Sequence, residues 1–437
     1  MPSMSAHRLL AVVIAATGLS AASRAHADEE GIKIGEGRLH PYLNLDGKWD
    51  SFASVSSTGT ALSDFLFDID PGLTLHIPSR VLSFGLDGDF DEVLYAQYTV
   101  LNRSLANGDL TLDFFDRGVV GLTLSDRFSR QNNATVSVLP FAVISDLNVA
   151  SAAVPIRPGG GAMVFTPSYS FTYQHFEGFN VGMVAVGLCP DDSPYCDSSK
   201  ASELDYTEQR GGLDVVWRFL PKTAALFNAE FLNVAYNSSA KNTGNAPLNL
   251  FDATLGLSGL ITSHFAVVAK AGYAQTFLTA ADVTADMELS KAGEAHDVIG
   301  QLELAYLFSE TGSIRVGFSR TLQPVPTALA YYEDNRPYLQ VRLLFGRLTL
   351  HLDVSFDIDT FASNIEEMGT RTDELLHVDV GPEVEIFRWC RAAVGYDLTS
   401  LGSNDPAAFT AYTGAKPLFG TGGYTNNELY LRLTFIY

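Results

Sequence analysis

Long hydrophobic runs are missing from this 437-residue sequence once its first 27 residues are passed. No later segment offers about eighteen consecutive apolar residues, so the sequence predicts no membrane-spanning helix. Helical periodicity is also missing, apart from one short turn expected near residues 91–96. Neither a helical membrane protein nor a helical soluble domain fits such a chain.

Basic residues are scarce. The sequence holds 28 Lys and Arg against 50 Asp and Glu, which gives a formal net charge of −22. A surface with this charge repels nucleic acid and bare anionic lipid, and we expect no nucleic acid among the partners.

Cysteine is too rare for a disulfide scaffold, because there are only three. Cys189 and Cys196 bracket "PDDSPY" and could pair across this small loop, whereas Cys390 stands alone. The spacing does not suit zinc, and the acidic loop lacks the spacing of an EF-hand. A solvated loop is the alternative to calcium binding there, and the sequence predicts no metal and no cofactor.

Catalytic signatures are absent: no G-x-S-x-G, H-E-x-x-H, Walker or G-x-G-x-x-G context occurs. The best candidates for catalysis are His351 with Asp353 and His377 with Asp379, each pair on one face of a predicted strand. If 363–372 is the loop that joins these two antiparallel strands, the numbers of any two residues that lie opposite each other sum to about 735. That register puts the two histidines on the order of 24 Å apart at 3.4 Å per residue, too far for one site. We therefore expect no enzymatic activity.

The amino-terminal stretch "HRLLAVVIAATGLSAASRAHA" has a positive start, an apolar run and an A-x-A end. It predicts a signal peptide over 1–27, removed by cleavage before Asp28, and hence export.

What the sequence does have is alternation. In "LTLHLDVSFDID" (348–359), apolar residues alternate with polar ones over twelve positions, which is the period of a strand. Comparable rows begin at Phe65, Met163, Leu213, Leu302, Leu339 and Val378. The chain is predicted to be all-β.

The connections between these rows alternate in length. Eight tight turns and nine long polar connections predict about 18 antiparallel strands, within a range of 16–18. The predicted turns are 78–80, 116–118, 157–161, 221–222, 262–264, 310–312, 346–347 and 390–391. The predicted long connections are 56–62, 92–106, 131–147, 177–206, 237–248, 280–296, 325–335, 363–372 and 402–425.

The last residues, "ELYLRLTFIY", place Leu433, Phe435 and Tyr437 on one face and end on an aromatic. This resembles the carboxy-terminal assembly signal of bacterial outer-membrane barrels, and the pattern over 39–437 resembles porin-like barrels. The resemblance implies one closed antiparallel transmembrane β-barrel over 39–437, after a short periplasmic segment, 28–38. It also implies short periplasmic turns, long extracellular loops, and outer-membrane lipid and the barrel-assembly machinery as partners.

In such a barrel the apolar faces meet lipid and the polar faces line a watery lumen. We expect 131–160 or 177–206 to fold inward as a constriction. Inward acids and bases are predicted to form opposed arcs that set the ion preference of the lumen. The alternative is that these side chains only keep the wall hydrated and pair with each other. The acids are Asp68, Asp70, Asp353, Asp357, Asp379, Glu383 and Glu385, and the bases are Arg210, Arg218, Arg315, Arg342 and Arg432.

Three functions remain open from the sequence. The first is a passive or weakly selective channel for small hydrophilic solutes in the outer membrane. The second is a conduit for polysaccharide export, for which only scattered lumenal aromatics (Tyr338, Phe387 and Tyr430) are found. The third is a non-conducting surface barrel whose loops bind a partner.

Overall fold

The structure, a computed structural model, describes most of the chain after residue 30. No helix in the described part is long and apolar enough to cross a membrane. The predicted signal peptide and the Cys189–Cys196 loop lie outside the described residues. The described ranges are 31–55, 61–132, 143–179, 205–237, 248–278, 296–308, 312–324, 329–363, 371–404, 418–419 and 422–437.

Eighteen strands, β2 to β19, form one closed antiparallel ring in which each strand pairs with its neighbours in sequence. The last strand closes the ring on the first, with Arg432 opposite Asp46. The prediction of a single closed barrel is confirmed. The bounds are β2 Gly37–Val55, β3 Ala61–Ile77, β4 Leu82–Tyr95, β5 Arg103–Phe114, β6 Leu122–Asn132, β7 Val143–Ala153, β8 Met163–Phe179, β9 Tyr206–Leu220, β10 Thr223–Tyr236, β11 Leu248–Leu260, β12 Phe265–Leu278, β13 His296–Leu307, β14 Gly312–Pro324, β15 Leu329–Phe345, β16 Leu348–Ser363, β17 Arg371–Phe387, β18 Cys390–Ser403 and β19 Gly422–Ile436.

A short additional strand, β1 (Ile32–Ile34), lies outside the ring and pairs only with the start of β2. Gly35 adopts a φ of +62° in the tight turn between them, a conformation that glycine reaches without steric strain. The sequence pattern had not indicated this hairpin, because three residues are too few to show alternation.

Most connections at one end of the barrel, here called the turn rim, are four residues or shorter, whereas the longest connections lie at the other end, the loop rim. Several predicted boundaries were wrong, among them 325–335 and 402–425, because β15 begins at Leu329 and β19 at Gly422. Residues 390–391 belong to β18, so that turn is 388–389, and residues 91–95 belong to β4. The helical turn comes later, at Thr99–Leu101.

The two faces of each strand differ as the alternation predicted. In β16 the row Thr349, His351, Asp353 faces into the ring and the row Leu348, Leu350, Leu352 faces outward. The inner side is identified by a hydroxyl–imidazole contact that skips two strands. Tyr430 Oη of β19 lies 3.2 Å from His351 Nε2 of β16, which only the concave face of a ring allows.

Large apolar side chains are exposed all around the outside, among them Phe67, Phe231 and Leu255. A closed ring leaves no unpaired edge, and an apolar exterior suits hydrocarbon. The fold is therefore that of a transmembrane β-barrel.

Three inner tyrosines lie against glycines of the neighbouring strand; Tyr42 covers Gly72, and Tyr430 and Tyr338 each cover a glycine in the same way. A Cβ added to Gly395 would lie 2.2 Å from the ring of Tyr430, and one added to Gly317 would lie 2.2 Å from that of Tyr338. A residue with a side chain at either glycine would displace the ring. All three tyrosines are therefore packed into the wall instead of projecting across the lumen.

Candidate functional site: the inner wall

Acids are unevenly distributed around the inner wall. We call the inner face of β16–β19 and β2–β5 the acid arc, since carboxylates there greatly outnumber basic side chains among the described residues. The register assigns to it Asp46, Asp50, Asp64, Asp68, Asp70, Asp87, Asp89, Asp91, Asp109, Asp113, Asp353, Asp357, Asp359, Asp373, Asp379, Glu383, Glu385, Asp397 and Glu428, with Arg38, Lys48, Arg103, Arg371, Arg391 and Arg432.

The inner face of β6–β15, the balanced arc, carries acids and bases in similar number among the described residues. Its charged side chains are mixed strand by strand. They are Glu208, Asp214, Glu230, Asp252, Asp297, Glu303 and Asp334 with Arg127, Arg210, Arg218, Lys270, Arg315, Arg336 and Arg342.

All seven acids named from the sequence occupy inward register positions of the acid arc, and four of the five bases occupy inward positions of the balanced arc. Arg432 does not follow the expected separation. It lies on β19, between acidic strands, and its Nε donates to Asp46 Oδ1 at 2.8 Å. The role of these side chains in permeation stays a prediction.

Much of the acid arc has no basic counterpart. Lys48 binds Asp68 (Nζ–Oδ2 2.9 Å), and Arg371 binds Asp373 (Nη2–Oδ2 2.5 Å). Ion pairs to arginine are also made by Asp46, Asp109, Asp357 and Glu383. In the described part of the chain, several of the remaining carboxylates lie beyond ion-pair distance of any lysine or arginine. These include Asp70, Asp87, Asp89 and Asp353.

The two histidine–aspartate pairs are closer together than the sequence predicted. Facing residues of β16 and β17 sum to 732, as in Ser355 opposite His377, so the predicted register was wrong by three. His351 Nε2 consequently lies 3.4 Å from Asp379 Oδ1, which also accepts from Tyr430 Oη at 3.1 Å. The error arose because both ends of the loop lie earlier in the chain than predicted: pairing stops at Phe361 on β16 and resumes at Arg371 on β17.

A turn after β4 folds into the mouth of the barrel at the loop rim. Asp64 of β3 accepts hydrogen bonds from the backbone N–H groups of Gln97 and Tyr98. Leu101 is buried against Leu66 and Val93 on the inner face. This turn, 96–102, is a narrowing element that sequence reasoning missed. A signal was present, since Leu101 is an apolar residue in a polar connection.

The constriction predicted from 131–160 is contradicted in part, because 143–153 form strand β7. The other predicted segment, 177–206, lies largely outside the described residues.

The inner wall is buried towards the loop rim and accessible towards the turn rim. Near the loop rim Asp373 is 0% and Phe361 0% exposed, whereas near the turn rim the side chains of Glu383 and Arg391 are 37% and 44% exposed. Solvent therefore reaches the wall mainly from the side of the turns.

An apolar patch, Leu232, Val234, Leu250 and Ile299, belongs to the buried part of the inner wall, on β10, β11 and β13. The sequence analysis took inner positions to be polar. The run "EFLNVAY" (230–236), which is apolar on both faces, was the available signal.

Three further predictions concern metals, aromatics and the carboxy terminus. Among the described residues no group of three or more His, Cys, Asp or Glu could hold a metal ion, and Cys390 is buried as a free thiol. The lumenal aromatics form no ladder, because Tyr338 and Tyr430 lie in the wall and Phe387 stacks on Trp389 at the turn rim. The residues of the assembly signal, Leu433, Phe435 and Tyr437, lie at the closing seam.

No protein-family model matches the chain, and no curated protein matches it. Its backbone is similar to those of many solved chains, including three bacterial proteins. OccAB3 of Acinetobacter baumannii is 9% identical over 92% of this chain and 100% of that one, with a TM-score of 0.46. The outer membrane protein opdK of Pseudomonas aeruginosa is 10% identical over 92% and 100%, with a TM-score of 0.46. The siderophore receptor PirA of the same organism is 11% identical over 93% and 81%, with a TM-score of 0.42.

At these identities and scores, the similarities establish neither a family nor a substrate. The architecture is informative by itself. A single-chain closed ring with an apolar exterior and a polar interior is a transmembrane β-barrel of the outer-membrane type.

Proposed function

We propose that the chain is an outer-membrane channel that passes small hydrophilic solutes and favours cations. The single observation that carries the proposal is the excess of carboxylates on the acid arc. The turn rim would face the periplasm, and the lumen would widen towards it. The proposal gives the chain no enzymatic role.

The physical basis is the field of uncompensated carboxylates along a narrow aqueous path. A ring of eighteen strands is too wide for its own side chains to fill. Carboxylates clustered on one side of a low-dielectric wall raise the local concentration of cations and lower that of anions. Asp87 is exposed and Asp353 is half-buried, and neither has a lysine or arginine within ion-pair distance among the described residues.

The test is electrical recording of the refolded protein in planar bilayers under a salt gradient. The expected reversal potential reports a cation preference. That preference should fall in the triple variant Asp353→Asn, Asp379→Asn, Glu383→Gln, which removes three charges from the acid arc.

A matched control removes three charges from the balanced arc: Asp214→Asn, Asp252→Asn, Glu303→Gln. It should leave the reversal potential nearly unchanged. Equal effects of both triples, or a wild type without cation preference, would overturn the proposal. A wild type that does not conduct would favour the surface barrel instead.

A further inference from the structure

A groove opens in the outer wall over strand β9. Arg210 of this strand points inward to Glu230, so its neighbours Gln209 and Gly211 point outward. A Cβ added to Gly211 would meet nothing within 4 Å, so the floor of the groove is backbone. The groove, here called the β9 groove, has a volume of about 320 Å³. Its outward lining residues are Tyr169, Gln209, Gly211, Phe231, Asn233 and Asn249.

Two aromatic rings form the sides of the β9 groove. Tyr169 of β8 and Phe231 of β10 both pair with Gly211, and they are 49% and 47% exposed. The two residues are separated by two strand spacings, about 10 Å. The groove is therefore an apolar slot one strand wide, and a chain lying along β9 over Gly211 contacts both rings.

Three amide side chains lie at the end of the groove that is nearer the loop rim. Gln209, Asn233 and Asn249 stand opposite one another on β9, β10 and β11. Towards the turn rim, the outward rows of these strands continue with glycine or phenylalanine and are largely apolar. The amides therefore lie where the hydrocarbon belt ends on the side of the loop rim.

These amides have hydrogen-bonding groups left over within the described part of the chain. Tyr169 Oη donates to Gln209 Oε1 at 3.2 Å, which leaves both N–H donors of Gln209 unpaired. Asn233 Nδ2 donates to Asn249 Oδ1 at 2.8 Å, which leaves the oxygen of Asn233 and the N–H donors of Asn249 unpaired. Such groups cost free energy when only hydrocarbon surrounds them. The groove thus presents donors and an acceptor at the edge of an apolar slot.

We propose that the β9 groove binds a glycolipid of the outer leaflet through an acyl chain that is joined to the sugar by an amide. Long loops face outward in barrels of this type, so the amide end of the groove lies at the outer leaflet. The acyl chain lies over Gly211 between the two rings. Its amide linkage accepts a hydrogen bond from Gln209 or Asn249 and donates one to Asn233 Oδ1.

The groove suits an amide-linked chain better than an ester-linked one. A phospholipid joins its chains through esters, which accept hydrogen bonds but donate none, so Asn233 Oδ1 would stay unpaired. None of the six outward lining residues is charged, so the groove recognises the linkage and the chain and not a phosphate. This inference depends on which rim faces outward, but not on what passes through the lumen.

The first test adds lipid A and phosphatidylglycerol in equal amounts to the refolded protein in a mild detergent and detects adducts by native mass spectrometry. Both probes are anionic, but only lipid A has amide-linked chains. The wild type should retain lipid A. Gly211→Leu fills the groove and should lose this adduct. Gly108→Leu, at an outward glycine of β5 with equally open surroundings, is the matched control and should keep it.

Both variants should show the heat-modifiable gel mobility of a folded barrel, because a Cβ at either glycine meets nothing within 4 Å. A wild type that binds no lipid A, or that retains phosphatidylglycerol equally well, would overturn the proposal. So would equal adducts on the two variants. The measurement involves no ion conduction, so a barrel that failed to conduct would leave this inference intact.

The second test keeps the slot and removes the donors. Gln209→Leu with Asn249→Leu should weaken lipid A binding about tenfold through the loss of hydrogen bonds, measured by titration of lipid A with the same readout. Gln275→Leu removes an outward amide of β12 that does not line the groove, and it should bind as the wild type does. Leucine suits lipid, so folding should survive. Equal affinities of the two variants for lipid A would contradict the inference.

Discussion

The two arcs of the inner wall share one backbone plan but differ in what their charges do. On the balanced arc, Arg210 lies between Glu208 and Glu230 and contacts both carboxylates. On the acid arc, carboxylates such as Asp70, Asp87 and Asp353 have no such base within ion-pair distance in the described part of the chain. One arc uses charge to close hydrogen-bonded networks, whereas the other leaves charge facing the lumen.

This difference is not a requirement of the fold. Both arcs form continuous antiparallel pairing, and both carry an apolar exterior. A barrel would close equally well with a balanced wall throughout, and mutual repulsion makes the acidic wall the less stable of the two. The excess is therefore best explained by what the lumen does.

The largest expected difference between variants of the two arcs is in the free energy of unfolding. Arg210→Ala leaves Glu208 and Glu230 without their base, and their side chains are only 14% and 4% exposed. Removal of one partner from a buried ion pair costs about 3–5 kcal/mol. Urea unfolding of the refolded barrel in lipid vesicles measures the change.

Arg432→Ala on the acid arc is the matched comparison. The Arg432 side chain is 36% exposed and its partner Asp46 5% exposed, so this variant leaves one buried carboxylate without its base where Arg210→Ala leaves two, and it should cost less stability. Similar losses in the two variants would show that the arcs do not differ in this way. Glu230→Gln added to Arg210→Ala should recover part of the stability, because it removes one stranded charge.

The next effect concerns the turn 96–102. Asp64→Ala removes the acceptor of the Gln97 and Tyr98 N–H groups, and each buried donor left unpaired costs about 1–3 kcal/mol. We expect the turn to leave the mouth and the single-channel conductance to rise. Asp70→Ala, on the same strand and face, is the control and should leave the conductance close to that of the wild type. Unchanged conductance in a folded Asp64→Ala barrel would show that the turn does not narrow the path.

Charge reversal is expected to have a smaller effect, a change of about tenfold in the cation-to-anion permeability ratio, or roughly 1.4 kcal/mol. Asp353→Lys with Asp379→Lys should turn the acid arc towards anions. Asp214→Lys with Glu303→Lys makes the same change of charge on the balanced arc and should shift the ratio much less. Equal shifts from the two pairs would mean that net charge alone, and not its placement, sets selectivity.

The sequence predicted the ring well because alternation is local. Rows such as Leu348 to Ile358 alternate apolar and polar side chains within a single strand. The alternation is pronounced because one face of the strand meets lipid and the other meets water. Strand ends were less certain, because a strand runs on past the rim wherever its residues still pair. The predicted register of β16 on β17 failed because both ends of the connecting loop lie earlier in the chain than predicted, and the predicted distance between His351 and His377 failed with it.

The inner site was predictable only in composition. Which acids point inward follows from alternation, as for Asp353 and Asp379. Which bases neutralise them depends on pairing across strands far apart in sequence, as for Arg432 and Asp46. The inward turn at Leu101 and the apolar patch at Leu232 depend on tertiary packing, which no local period reports.

The smallest effect compares two of the wall tyrosines. Tyr430→Phe and Tyr338→Phe both keep the ring on its glycine and remove one hydroxyl. Each should cost about 0.5–1.5 kcal/mol. Tyr430 Oη donates to Asp379 on the acid arc, whereas Tyr338 Oη donates to Glu303 on the balanced arc at 2.5 Å.

The two variants should therefore differ in selectivity although they match in chemistry. Loss of the Tyr430 hydroxyl leaves more of the Asp379 charge to the lumen, so cation preference should rise slightly. Loss of the Tyr338 hydroxyl should leave the preference unchanged, because Glu303 faces a wall in which acids and bases balance. Reversal potentials recorded under one salt gradient decide the matter. A larger shift from Tyr338→Phe would mean that the balanced arc, not the acid arc, lies along the path of the ions.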